Sequence, residues 1–335
     1  MVDGVKKLNL SDFHACDMSN VGDRFIPHCK CGHSRLPNCK FGRTGFQKKR
    51  IFASTKHDTM NKNIKVLFAA LLLLAQTSLF AQDSIPAPTS YHVNGVTFKM
   101  VRVEKGSFWM GAQHVDTADV NYDRYSQNDE LPVHNVTIRE DFYIGQTEVS
   151  QKLWKAVMGY NPSKKKCCKK PVTNVSYVEV QDFIRILDSL TGMHFRLPTE
   201  EEWEFAARGG TNSKGYVYSG GKESKKVAWH NGNTRRLRKC GKKKPNELGI
   251  YDMSGNVWEW CSTTYHYFDK ERNARLGKEG AMQVIRGGAW QLPETSCRVA
   301  WRGKRLPDLQ NSFGGFRLCL DAKCVKEESP ETAAK

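Results

Sequence analysis

Apolar and polar residues alternate along GVTFKMVRVEKGSFWMG (95–111), the pattern of strands with one buried face, and predict paired strands with a turn at Lys105-Gly106. The alternation returns in HNVTIREDFYIGQTEV (134–149). The period then lengthens to that of a helix. Val149, Leu153, Trp154, Val157 and Met158 fall on one side of a helical turn, and Gly159 stops the run. A second helix opens at Ser176, with Glu179 three positions on as its capping-box partner, so that each side chain satisfies a free amide of the first turn. Val180, Phe183, Ile184, Leu187 and Leu190 mark its apolar face, and Gly192 ends it. Thr199 and Glu202 open a third helix that runs through Trp203 and Ala207 to Gly209-Gly210. These faces predict core packing rather than ligand contacts.

After residue 210 the periodicity fades. Glycine, asparagine, tryptophan and arginine dominate, with short strands expected at VIRGG (284–288) and GGFRLCL (314–320). Long irregular stretches are uncommon in compact domains unless they are functional, and this one has aromatics enough to bury. Its densest part is GIYDMSGNVWEW (249–260), whose glycines, tryptophans and carboxylates suit a tightly constrained turn.

Upstream, the pattern changes the expected domain organisation. MNKNIKVLFAALLLLAQTSLFAQ (60–82) has a basic start at Lys62 and Lys65, an apolar run from Val66 to Ala75, and Leu79-Phe80-Ala81 before a cleavage point. The apolar run is shorter than the about 20 residues a spanning helix needs. A cleaved signal peptide over 60–81 is therefore favoured over an uncleaved anchor, and no cysteine stands at the cleavage point to carry a lipid. Export to the periplasm, outer envelope or extracellular space follows, with no stable membrane span once the signal is removed. Residues 1–59 lack apolar periodicity and read as a disordered or upstream-translated extension. Their cysteine spacing does not suit structural zinc. A linker is expected over 82–90, one continuous α+β domain over 91–322, and a polar tail over 323–335.

Charge and cysteine content refine this. Residues 1–81 hold 13 Lys and Arg against 5 Asp and Glu, so about half of the net +17 lies upstream of the domain. Much of the remainder sits in KKKCCKK (164–170) and RRLRKCGKKK (235–244). Such runs bind nucleic acid or anionic glycans, or simply form solvated loops. No nucleic-acid-binding motif accompanies them, and no nucleic-acid partner is expected. Seven cysteines follow the signal, an odd number that leaves one thiol unpaired within a monomer.

FKMVRVEKGSFWMG (98–111), DFYIGQTEVSQKLW (141–154), PVTNVSYVEVQDF (171–183), FRLPTEEEWEFAARGG (195–210), NELGIYDMSGNVWEW (246–260), RGGAW (286–290) and GFRL (315–318) occur in that order. Together they resemble the formylglycine-generating enzyme family, the sulfatase-modifying factors. The resemblance implies one irregular domain related to the C-type lectin fold. It also implies calcium at the GNVWEW turn, with side-chain oxygens from Asp252 and Glu259 and main-chain carbonyls from Gly255 and Val257. Hard carboxylate and carbonyl oxygens are what calcium prefers.

Catalytic family members convert a cysteine in a Cys-x-Pro-x-Arg sequence of a sulfatase to formylglycine, using oxygen and a copper(I) ion held by two cysteines. Thiolates select copper(I). Counted from Gly287-Gly288, the first of those cysteine positions is Leu292 and the second is Cys297; Ala289 replaces the family's serine. Copper(I) is not expected, and Cys297 remains as the one catalytic candidate. The reading that follows is a non-catalytic member that binds a protein or peptide partner in the cell envelope through Trp258, Trp290, Trp301, Arg302 and Arg305. Tryptophan and arginine are favoured at such surfaces. A formylglycine-generating oxidase with a non-standard metal site is the alternative, and a diversified lectin-fold ligand binder is a further one. Iron-dependent sulfoxide synthesis would require a histidine triad on an additional domain, for which the chain has no motif.

Overall fold

The computed structural model describes residues 87–271 and 282–325. The expected signal peptide, the segment before it and most of the expected tail lie outside these residues. Among them, no helix is long and apolar enough to cross a membrane.

Eleven strands form two sheets and a hairpin among the described residues. Strands β1 (Thr89–Val93), β2 (Val96–Val103), β5 (Phe142–Gly145), β11 (Cys319–Asp321) and β6 (Phe195–Arg196) make the larger sheet, in that spatial order. The smaller sheet has the order β10 (Gly314–Gly315), β7 (Trp258–Thr264), β8 (Gln283–Arg286), β9 (Arg302–Arg305). Strands β3 (Gly106–Met110) and β4 (His134–Ile138) pair only with each other.

The alternation over 95–111 produces strands, but not the hairpin expected at Lys105-Gly106. The tight turn lies one strand earlier, at Asn94-Gly95, where both residues take positive φ (45° and 71°) and join β1 to β2. At Lys105 the chain leaves the larger sheet instead. Asp141 fixes that exit by accepting from the Lys105 amide at 2.9 Å and from Arg102 at 2.7 Å.

Helices α1 (Gln151–Met158), α2 (Tyr177–Thr191) and α3 (Glu200–Arg208) stand where the periodicity places them. Both predicted capping boxes are formed, and each helix closes on a left-handed glycine, Gly159, Gly192 and Gly209 respectively. Leu190, expected on the α2 apolar face, is instead exposed, because the buried stripe ends at Leu187. Trp154 of α1 stacks on Phe183 of α2 with ring centroids 5.1 Å apart, joining the two helices over one face of the larger sheet. The other face buries Val101, Val103, Phe142 and Ile144 against Trp203, Phe205 and Ala206 of α3. A short helix, α4 (Ser224–Val227), begins the irregular half.

Candidate functional site

The GNVWEW turn is a crowded junction. Asp252, Gly255 and Asn256 all take positive φ, and a Cβ on Gly255 would lie 2.3 Å from the Trp229 carbonyl oxygen. The turn delivers Glu259 into the smaller sheet, fully buried. There its carboxylate receives Arg317 Nε and Nη2 at 2.6 Å each and the Trp203 indole N–H at 2.7 Å. Arg317 also donates to the carbonyls of Gly145 (2.7 Å) and Tyr251 (3.1 Å).

This arrangement alters the expected calcium set. Glu259 is neutralised by a guanidinium within the chain, so it does not fit as the ligand the resemblance implies. The unpartnered oxygens are elsewhere. Asp252 accepts from the Gly241 amide through Oδ2 (2.6 Å), while its buried Oδ1 has no partner. Glu148, at the end of the GQTEV run, accepts from Asn256 through Oε1 (2.8 Å), and its buried Oε2 has no partner. Burial first, and then the neighbouring charges of Asp252 and Glu259, holds the Glu148 carboxyl well above the usual carboxylate range. Burial also pushes Asp252 up to about 6. Asp252 and Glu148 lie within side-chain hydrogen-bond reach of each other, so these adjacent buried acids can share a proton, and their oxygens are hard donors that a cation would take in its place. Glu148 and Asp252 fit calcium; Glu259 belongs to Arg317.

The RGG segment follows β8. Gly287 and Gly288 take φ of 90° and 68°, and a Cβ on Gly288 would meet the Ser296 carbonyl oxygen at 2.3 Å. The glycines therefore allow the backbone to lie against the 3-10 turn Glu294–Cys297. Cys297 is fully buried and packs with Tyr218, Val227 and Ala228, a cluster that contains no second cysteine. Burial pushes its thiol up to about 12, with the Glu294 charge adding to the rise. Leu292, half-buried, packs against a different core cluster, as do Trp301 and Phe313. The position expected for the first copper ligand is thus filled by an aliphatic core contact, and the second is a neutral thiol. All seven cysteines among the described residues are unbridged.

Of the residues expected to contact a partner, two are in the interior. Trp258 is fully buried, its ring centroid 4.8 Å from that of Trp260. Arg302 is 3% exposed and grips Glu200 with two bonds of 2.6 and 2.7 Å, while donating to the Asp129 carbonyl at 2.9 Å. Burying a guanidinium requires such a partner, and sequence pattern alone does not reveal which arginines have one. Arg286 and Arg298 are held similarly, by Glu204 and by Glu130. Trp290, Trp301 and Arg305 are half-buried and remain available to solvent on one side.

His230 was not singled out from sequence, although AWHNGN (228–233) carries it. It is buried, accepts from the Gly232 amide through Nδ1 (3.2 Å), and so presents Nε2–H without a partner, 3.9 Å from Glu294 Oε2. Ser224 donates to the same Glu294 oxygen at 2.5 Å. Burial lowers the His230 pKa, so the ring is neutral near pH 7. Only the fold brings this group next to the turn that carries Cys297. Among the described residues, no three His, Cys, Asp or Glu side chains converge to hold a metal.

The sulfatase-modifying factor enzyme 1-like domain model matches residues 89–322. The chain belongs to the sulfatase-modifying factor family. Its relatives within this family and beyond differ in what they are said to do. The chain is 31% identical over 182 residues to a formylglycine-generating enzyme of Streptomyces coelicolor, covering 48% of this chain and 56% of that one. It is 34% identical over 151 residues to the inactive C-alpha-formylglycine-generating enzyme 2 of Mus musculus, covering 40% of this chain and 45% of that one. A chaperone protein, LppX of Paenibacillus barcinonensis, is 30% identical over 223 residues, or 51% of this chain and 76% of that one. The chain thus spans about half the length of the two formylglycine-generating relatives. Among solved structures, Treponema denticola variable protein 1 superimposes with a TM-score of 0.58 at 27% identity, covering 70% of this chain and 99% of that one. The family's fold is the α+β domain described above, with curled sheets and few helices.

Proposed function

We propose that this chain is an exported, non-catalytic member of the sulfatase-modifying factor family that binds a protein or peptide partner in the cell envelope. The observation that carries this reading is Leu292, a half-buried aliphatic side chain, at the first copper position, with Cys297 buried in a cluster that holds no second cysteine. Thiolates are the donors that select copper(I), and Cys297 has no second cysteine in its cluster to complete a pair. Similarity to a relative named inactive supports the same reading. The partner face is narrower than the sequence suggests. It comprises Trp290, Trp301 and Arg305, since Trp258 and Arg302 are interior. Glu148 and Asp252 would hold calcium, which would neutralise two buried acids and brace the turn beside Trp229.

The test is direct. The mature domain is incubated with a Cys-x-Pro-x-Arg peptide, oxygen and copper(I), and the peptide is examined by mass spectrometry. The expected result is unchanged peptide and no stoichiometric copper(I) on the protein. Formation of the aldehyde would overturn the reading and restore the oxidase.

A further inference from the structure

The two lysine-rich runs are separate in sequence but form one surface in the fold. The Cys240 amide donates to the Lys169 carbonyl at 3.0 Å, joining 235–244 to 164–170. The Lys244 amide donates to the Lys226 carbonyl at 3.2 Å, and the Lys243 ammonium to the Lys225 carbonyl, which brings in 222–226. These three segments contain fifteen Lys and Arg and a single carboxylate, Glu223, already paired with Lys226 at 2.6 Å. Most of the fifteen are exposed. Beside them lies a cavity of about 550 Å³ lined by Lys152, Lys155 and Lys166, with no carboxylate in its wall.

The array is held in place. The Gly241 amide is bound by the buried Asp252 carboxylate, and the Cys240 thiol points at the Glu148 carbonyl (3.9 Å). The loop is therefore fixed on the domain body rather than trailing in solvent. So many like charges fixed together repel one another, and an anionic partner relieves that repulsion.

We propose that this face binds an anionic polysaccharide through its sulfate or carboxylate groups. Twelve of the fifteen cations are lysine. An ammonium is a hydrated point charge without the fork that reads a phosphate bidentately, and it suits anionic groups repeated along a flexible chain. Single-stranded nucleic acid binds where aromatic rings offer stacking platforms. The aromatic ring set among these segments, Trp229, is covered by Arg238 (4.4 Å) and Lys243 (3.9 Å). Duplex DNA is read by a helix or a β-ribbon in its major groove, whereas 164–170 and 235–244 contain no helix or strand and 222–226 reaches only into the four-residue α4, too short to span a groove. Export, as proposed above, would bring this face to the surroundings where such polysaccharides occur. The oxidase question does not bear on it.

The experiment titrates the full chain, at about 0.15 M salt, with dextran sulfate, alginate, neutral dextran, and single- and double-stranded DNA of matched charge. Two triple variants accompany it: Lys239→Gln/Lys242→Gln/Lys244→Gln on the face, and Lys99→Gln/Lys105→Gln/Lys323→Gln elsewhere, which lose the same net charge. Unchanged thermal midpoints establish that both fold. The expected result is salt-sensitive binding of at least one anionic polysaccharide, none of neutral dextran, and a loss of about tenfold in the face variant only. Equal loss in both variants, tighter binding of either DNA, or no polysaccharide binding would overturn the proposal.

Discussion

Individual residues in this chain are defined by their partners more than by their type. Arg302 and Arg305 stand three positions apart on one strand, and their sequence context is alike. The fold gives Arg302 a buried carboxylate and leaves Arg305 half-exposed, donating to the Lys304 carbonyl. Arg302→Ala should therefore destabilise the domain by about 3 kcal/mol, since it removes the two closest charged bonds of the buried Glu200 and leaves it only the Arg286 guanidinium at 3.4 Å. Arg305→Ala should change stability by less than about 0.5 kcal/mol. Urea unfolding of both variants checks the contrast; equal effects would return Arg302 to the surface. His230 makes a pH-dependent prediction. Its folded pKa lies below the about 6.5 of an unfolded histidine. Its contribution is complete above that pH and is lost as pH falls towards the folded value, because the unfolded chain takes up a proton that the folded ring refuses. His230→Gln should flatten the decline in stability below pH about 6.5, read from thermal midpoints between pH 5 and 8. The sequence names Arg302 without its buried partner and passes over His230, because burial and the identity of a partner are long-range facts. By contrast, Leu292 at the position of the family's first copper ligand was legible through the resemblance, by counting from Gly287-Gly288.

Elements were more readable. The three main helices carry their own start and stop signals, so their limits follow from local chemistry: Ser176 with Glu179, Thr199 with Glu202, and a glycine at each end. Strand pairing is not local, and the hairpin expected at Lys105-Gly106 became an exit to another sheet. The GNVWEW turn lies between these cases. Its tightness was evident from composition, whereas the acid beside it, Glu148, comes from more than a hundred residues earlier. This separates two roles that the resemblance combines. If Glu148 and Asp252 hold calcium, a hundredfold excess over Kd should stabilise the domain by about 2.7 kcal/mol, and Glu148→Gln should remove that gain. Glu259→Gln should lower the thermal midpoint with or without calcium, because it removes the carboxylate that answers Arg317. A midpoint indifferent to calcium in the wild-type chain would rule out the site.

For the whole molecule, family membership was legible from seven ordered motifs, while sheet order was not. Strands β10 and β11 come late in sequence, yet β11 lies between β5 and β6, and β10 edges the strand that bears Glu259. Arg317, between them, ties Gly145, Tyr251 and Glu259 together. A chain stopped after residue 312 should show no cooperative unfolding transition by circular dichroism, whereas one stopped after residue 325 should keep it. The central place of β11 has a consequence for biogenesis. A ribosome must deliver nearly the entire domain before the larger sheet can close. Until then β5 offers an open edge, and Glu259 waits for its guanidinium. Translation order thus keeps the growing chain unlocked, a state that leaves the β5 edge open to aggregation until β11 emerges.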